Sequence, residues 1–176
     1  MSVAAHRFNN DLRYRNGDHE GQTHLTPNYA LDPIREVLGT IELDPCTTAS
    51  NPTRALAFYT VKSDGLKQEW HRYAWTPNIF CNPPYGKARE PWVERCIEAG
   101  KRGQKVVLLM PAATDTRIFQ KALASASGAV LVKGRLKFGT LRENRRQHAA
   151  SHGSAIIGWN VDLSPCSHLG LIVKAA

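Results

Sequence analysis

Apolar positions along the chain change their spacing several times, and each change predicts an element. Leu31, Ile34, Val37 and Leu38 recur at helical period. Thr26-Pro27 marks the approach and Gly39 the stop, so 25–38 reads as a lead-in loop followed by a helix. A short strand over 40–43 ends at Asp44-Pro45, and residues 46–54 are small, polar and turn-rich. Residues 55–60 suit a helical turn or a strand equally, and Asp64-Gly65-Leu66 is a turn. The apolar segment 78–81 reads as a strand running into Asn82-Pro83-Pro84-Tyr85.

Over 90–101, Trp92, Val93, Cys96 and Ile97 share one helical face, Pro91 suits the first turn, and Gly100 and Gly103 close the helix. The near-continuous apolar run 105–110 fits a central strand of a parallel sheet. A helix follows over 114–126, with Thr114 as its cap and Ile118, Phe119 and Leu123 inward. Residues 129–132 form a strand, 134–153 a long basic loop, and 154–159 and 169–173 finish the sheet. Residues 1–22 are polar and read as a flexible arm, leaving 23–176 as a single domain. Alternating strands and helices imply right-handed crossovers and an open α/β sheet with helices on both faces. Ligands of such sheets bind beyond the carboxyl ends of the strands. Asp44, the tetrapeptide at Asn82 and Pro111 fall at such ends and are expected to converge on one edge.

Composition narrows the partners rather than the fold. The chain has 176 residues, enough for one substantial core. Its formal charge of +8 favours a polyanionic partner. From Lys133 to His148 stand Lys133, Arg135, Lys137, Arg142, Arg145 and Arg146 against Glu143 alone. The four cysteines show no paired spacing and read as reduced thiols of a cytosolic protein. The seven histidines make no metal signature, no apolar run is long enough to span a membrane, and no protein partner is legible.

The tetrapeptide carries the most chemistry. Two prolines fix φ and donate no backbone hydrogen bond, so the chain leaves its strand as a stiff arm. The Asn82 amide oxygen and the Pro83 carbonyl can both accept from one planar amino group. The Tyr85 ring can lie against a flat heterocycle. Together they describe a pocket for the exocyclic amine of an aromatic base.

Five segments in this order, Thr26-Pro27, Asp44-Pro45, Asp64-Gly65-Leu66, the tetrapeptide and Lys133-Gly134-Arg135-Leu136-Lys137-Phe138, resemble the phage-type DNA N6-adenine methyltransferases of the Dam family. The tetrapeptide is the specific part. The resemblance implies a Rossmann-like class I methyltransferase: an α/β open sheet, mostly parallel, with an antiparallel strand near the C-terminus. It implies S-adenosylmethionine as cofactor, DNA as partner and the cytoplasm of a bacterium or phage-infected host as location. An adenine swung out of the duplex would give its amino hydrogens to Asn82 and Pro83 and stack on Tyr85, beside Pro84. Phe138 either supports the base from another side or anchors its loop. Thr26 would bond the cofactor's carboxylate, Asp44 with Pro45 would meet its amino group, and Asp64 its adenine. Arg135, Lys137, Arg142, Arg145 and Arg146 would contact phosphate.

The chain departs from the wider class. Cys46-Thr47-Thr48-Ala49-Ser50-Asn51 stands where a glycine-rich loop is usual, and 44–64 is short for a helix plus a strand. No separate target-recognition domain is expected. Alternatives remain: methylation of cytosine N4, of RNA or of a protein glutamine, or a DNA-binding module that no longer uses cofactor.

Overall fold

The computed structural model describes residues 25–71, 75–139 and 148–174, so the arm predicted over 1–22 lies outside them. Seven strands form one sheet: β1 (Leu43–Thr47), β2 (Ala57–Thr60), β3 (Ile79–Cys81), β4 (Val106–Pro111), β5 (Gly128–Val132), β8 (Ser154–Trp159) and β9 (Gly170–Lys174). A separate two-stranded ladder joins β6 (Lys137–Phe138) to β7 (His148–Ala149). The described helices are α1 (Asn28–Leu38), α2 (Glu90–Lys101) and α3 (Arg117–Ser125).

Strand order in the sheet is β2-β1-β3-β4-β8-β5-β9. The pairings from β2 to β4 are parallel, and those from β4 to β9 are antiparallel. Both C-terminal strands therefore run against the rest, where the sequence pointed to one. β8 and β9 run the same way with β5 between them, and the segment carrying a 3-10 stretch over Ser164–Leu169 crosses β5 to join them.

Alternation along the central strands sorts side chains into two cores. Val106, Leu108 and Met110 of β4 face α2 and α3, together with Ile79, Cys81, Ile157 and Trp159. Val107 and Leu109 face α1, together with Phe80, Val130 and Ile156. All six residues of β4 are buried, which is why its sequence reads as an unbroken apolar run. Each such side chain removed from water contributes roughly 2 kcal/mol.

Several boundaries move. Strand β1 does not stop at Asp44. It continues through Pro45 to Thr47, because a bulge between Asp44 and Thr47 absorbs the proline's missing donor. Residues 57–60 settle as strand, against β1. The cap of α3 is Thr116 rather than Thr114: the Thr116 hydroxyl accepts from the Phe119 amide at 3.4 Å. Gly100 lies inside α2, where an added β-carbon would come within 2.5 Å of the Trp159 ring. Close packing, not helix termination, places a glycine there; the chain turns at Gly103, with φ of 87°.

The connection from β1 to β2 goes to one side of β1, and β3 lies on the other. The crevice between the carboxyl ends of β1 and β3 is thus the topological switch point, where open α/β sheets bind ligands. Asn82 lies just past β3 at this end, whereas Asp44, expected at the end of its strand, is the second residue of β1.

Candidate active site

Asn82 leaves the sheet directly after Cys81, the last residue of β3. Neither Pro83 nor Pro84 has an amide hydrogen to continue the ladder, so the backbone turns off as an arm. The Asn82 Nδ2 donates to the Thr26 Oγ1 at 3.1 Å. Thr26 is itself 8% exposed, held just before the first turn of α1. Tyr85 meets Phe138 edge to face, with ring centroids 6.1 Å apart and planes at 84°. Burial pushes the Tyr85 phenol up to about 12, against the opposing pull of Arg89, so the ring stays neutral at any working pH.

Two distant segments brace this arm. The Leu25 and Gly139 amides each donate to the other's carbonyl at 3.0 Å. The Lys137 amide donates to the Tyr29 hydroxyl at 3.1 Å, and the Arg135 Nη1 to the Ala150 carbonyl at 3.3 Å. Thr26 and Phe138 therefore belong to one hydrogen-bonded strap, which touches Asn82 from one end and Tyr85 from the other. Phe138 is 2% exposed in the α1-side core, so its ring anchors the strap and props Tyr85.

Across the crevice, Asp44 is 2% exposed. The Cys46 amide donates to its Oδ1 at 3.1 Å and the Thr53 hydroxyl to its Oδ2 at 2.8 Å. Burial outweighs these bonds and raises the carboxyl from 3.8 to about 6. The 46–54 loop is built around that acid: the Asn51 Oδ1 accepts from the Ala55 amide and lies 3.2 Å from the Thr53 hydroxyl oxygen, with Asn51 and Arg54 at positive φ. Among the described residues no helix separates β1 from β2. Asp64, also at positive φ, pairs with Lys67 at 3.1 Å on the surface. Gly65, next to it, packs against the Pro45 carbonyl.

A half-buried amide on a double-proline arm, an aromatic ring on the same arm and a buried acid on the neighbouring strand are groups that suit a base and a charged cofactor. A profile of the family described as DNA N-6-adenine-methyltransferase (Dam) matches residues 16–174. The chain belongs to that family. No curated protein matches it.

The fold brings Thr26, Asn82, Tyr85 and Phe138 together, with Asp44 and Pro45 inside the neighbouring strand β1. Asp64 joins them through Gly65. Arg135 and Lys137 are exposed on the strap, whereas Arg142, Arg145 and Arg146 lie outside the described residues. The residues fit S-adenosylmethionine in their chemistry: Asp44 is a buried acid with no cationic partner among the described residues, which suits an ammonium group.

Sequence reasoning missed Thr53, whose hydroxyl holds Asp44, and Tyr29, which holds the strap. Each partnership spans the fold and leaves no local spacing to read. It also missed Arg89, whose buried Nε has no acceptor among the described residues. A double-proline arm followed by a basic residue at a helix start was its only signal. Burial raises the thiols of Cys46, Cys81 and Cys166, so none is poised as a nucleophile. A cavity of about 610 Å³ lies at the opposite edge of the sheet, by Lys105, Ser127 and Asn160, away from this chemistry.

Proposed function

We propose that this protein transfers a methyl group from S-adenosylmethionine to the exocyclic N6 of adenine in DNA. The observation that carries the reading is Asn82, an amide fixed by Thr26 at the carboxyl end of β3, beside Tyr85 and across the crevice from a buried acid.

When bound, S-adenosylmethionine supplies an electrophilic methyl on sulfur and leaves as a neutral thioether. The chain's own residues prepare the amine. The Asn82 Oδ1 and the Pro83 carbonyl accept the two amino hydrogens, which draws the nitrogen lone pair out of conjugation with the ring. That pair forms the new N–C bond, the C–S bond electrons remain on sulfur, and an amino proton departs to water. Tyr85 holds the base by its face; its phenol is too weak an acid to serve as a base at neutral pH. Positioning and preorganised acceptors therefore supply the rate. Asp44 and Pro45 hold the cofactor's amino-acid end, and Asp64 its adenine end. Pro84 shapes the base side. The strap, with Arg135, Lys137, Arg145 and Arg146, contacts phosphate and gives a salt-dependent affinity.

The missing helix between β1 and β2 favours one second reading, a DNA-binding module without cofactor use. Calorimetry with S-adenosylhomocysteine separates the two. Expression in a methylation-deficient host, then nuclease digestion and mass spectrometry of nucleosides, is expected to show N6-methyladenine. N4-methylcytosine, modified RNA alone or no modified base would overturn the proposal.

A further inference from the structure

The arm that carries Asn82 ends on an arginine with unfinished chemistry. Beyond Tyr85 the chain turns at Gly86, where φ is 89°, and closes one 3-10 turn over Lys87–Arg89 before α2 begins. The Arg89 amide donates to the Gly86 carbonyl at 3.3 Å, which ties its backbone to the arm. Arg89 is half-buried, and its buried Nε meets no acceptor among the described residues. Glu90, the next residue, faces Arg117 instead, at 3.8 Å. The guanidinium nevertheless stands close to Tyr85, because its charge opposes the rise that burial imposes on the phenol.

An arginine held this way is costly in the free protein, since a buried N–H donor has lost water and gained no acceptor. The partner that completes it is an anion. Guanidinium is an always-charged planar fork of five donors, and it matches the oxygens of a carboxylate or a phosphate. A hydroxyl or a single ring nitrogen would leave most of the fork empty. The anion must also reach the arm on the Tyr85 side. An adenine with its amine at Asn82 and its face on Tyr85 turns its glycosidic bond away from Asn82, and a phosphate lies on each side of that sugar. The cofactor's carboxylate shares a carbon with the ammonium assigned to Asp44, which stands on β1 instead.

We propose that Arg89 is a substrate-binding residue, whose guanidinium grips a phosphate next to the extrahelical adenosine and holds that nucleotide against Tyr85. The inference rests on the function proposed above. It separates two kinds of phosphate contact: the strap meets the duplex, and Arg89 meets the nucleotide that has left it.

The test uses a duplex that the wild-type protein methylates, with its target adenine mapped. Single methylphosphonates, which replace one charged oxygen by a methyl group, are placed in turn at each phosphate flanking that adenine. For the wild type, one position is expected to weaken DNA binding about tenfold, the low end for a hydrogen bond to a charged group. Arg89→Gln should show the same loss on unmodified DNA, lose little more at that methylphosphonate, and respond fully to the others. It should also lower the slope of log affinity against log salt by about 1. Arg89→Lys, which keeps the charge, should recover part of the affinity. Losses that add at every flanking position overturn the inference. So does an Arg89→Gln protein that loses affinity for S-adenosylhomocysteine but not for DNA or for 5′-methylthioadenosine, which lacks the amino-acid portion; that pattern puts the guanidinium on the cofactor's carboxylate. A wild type that methylates no DNA overturns the proposed function, and the inference with it. Circular dichroism and urea unfolding of each variant keep a folding defect distinct from a lost contact.

Discussion

The backbone of Gly65 lies so close to Pro45 that a β-carbon built on it would sit 1.9 Å from the Pro45 carbonyl oxygen. The Trp92 ring would be 3.1 Å away on the same side. The contact sets the turn at Asp64 against the middle of β1, drawing together two segments whose acids, Asp44 and Asp64, are twenty positions apart. Gly65→Ala must push one backbone from the other, since a carbonyl in a strand cannot rotate aside. Overpacking of this kind costs about 3 kcal/mol at its upper end. Urea unfolding should show that loss, with weaker binding of S-adenosylhomocysteine by calorimetry. Unchanged values for both would mean the contact is slack.

Asp44 gives a pH signature. Its carboxyl is raised to about 6 by burial, so the folded protein resists its ionisation. The stabilisation from the neutral form is full below pH 4 and is lost as pH rises through 6. Above pH 7 the difference amounts to about 3 kcal/mol. Unfolding free energy without ligand is expected to fall across pH 4–7, and Asp44→Asn should flatten that fall. A cation beside Asp44 reverses the balance, so S-adenosylhomocysteine should release protons on binding near pH 6 and bind more tightly at pH 7 than at pH 5. Calorimetry in two buffers of different ionisation enthalpy measures the released protons. Proton uptake near pH 6 would contradict this placing of the ammonium.

Tyr85 and Phe138 separate by the same logic. Tyr85 is partly exposed and its phenol does no acid–base work, so Tyr85→Phe should keep activity within about threefold. Tyr85→Ala removes a stacking face worth roughly 1–3 kcal/mol per base, or about 10- to 100-fold in DNA-saturated transfer. Phe138→Ala instead empties a core position and should cost about 3–5 kcal/mol of stability. A stable Phe138→Ala protein with selectively weakened base binding would instead put that ring against the substrate.

Lys133 and Lys137 are exposed and carry no ion pair among the described residues. Replacing both by Gln should weaken DNA binding and reduce the slope of log affinity against log salt by about 2. An unchanged slope would remove the strap from the DNA interface.

Much of this was legible in the sequence. The Trp92, Val93, Cys96 and Ile97 face fixed α2 over its observed length, because period and caps agreed. The buried run of β4 announced a central strand for the same reason. Topology placed Asn82 just past its strand, but put Asp44 at the end of a strand that runs on to Thr47. What stayed hidden depends on partners distant in the chain. Thr26 read as a cofactor contact or a helix-start residue, and its bond to Asn82 stayed hidden because it spans 56 positions. Phe138 read equally well as base support or anchor because burial, not identity, distinguishes them. The bulge at Pro45 defeated a local rule, since proline usually ends a strand and here a register shift absorbs it.

The central claim is that the Asn82 amide accepts the amine that is methylated. Single-turnover transfer of labelled methyl to DNA by purified Asn82→Ala, with cofactor and DNA both saturating, measures it most directly. The expected result is a rate at least 100-fold below wild type, with the unfolding transition and S-adenosylhomocysteine affinity little changed. A wild-type rate from a correctly folded Asn82→Ala protein would contradict the mechanism.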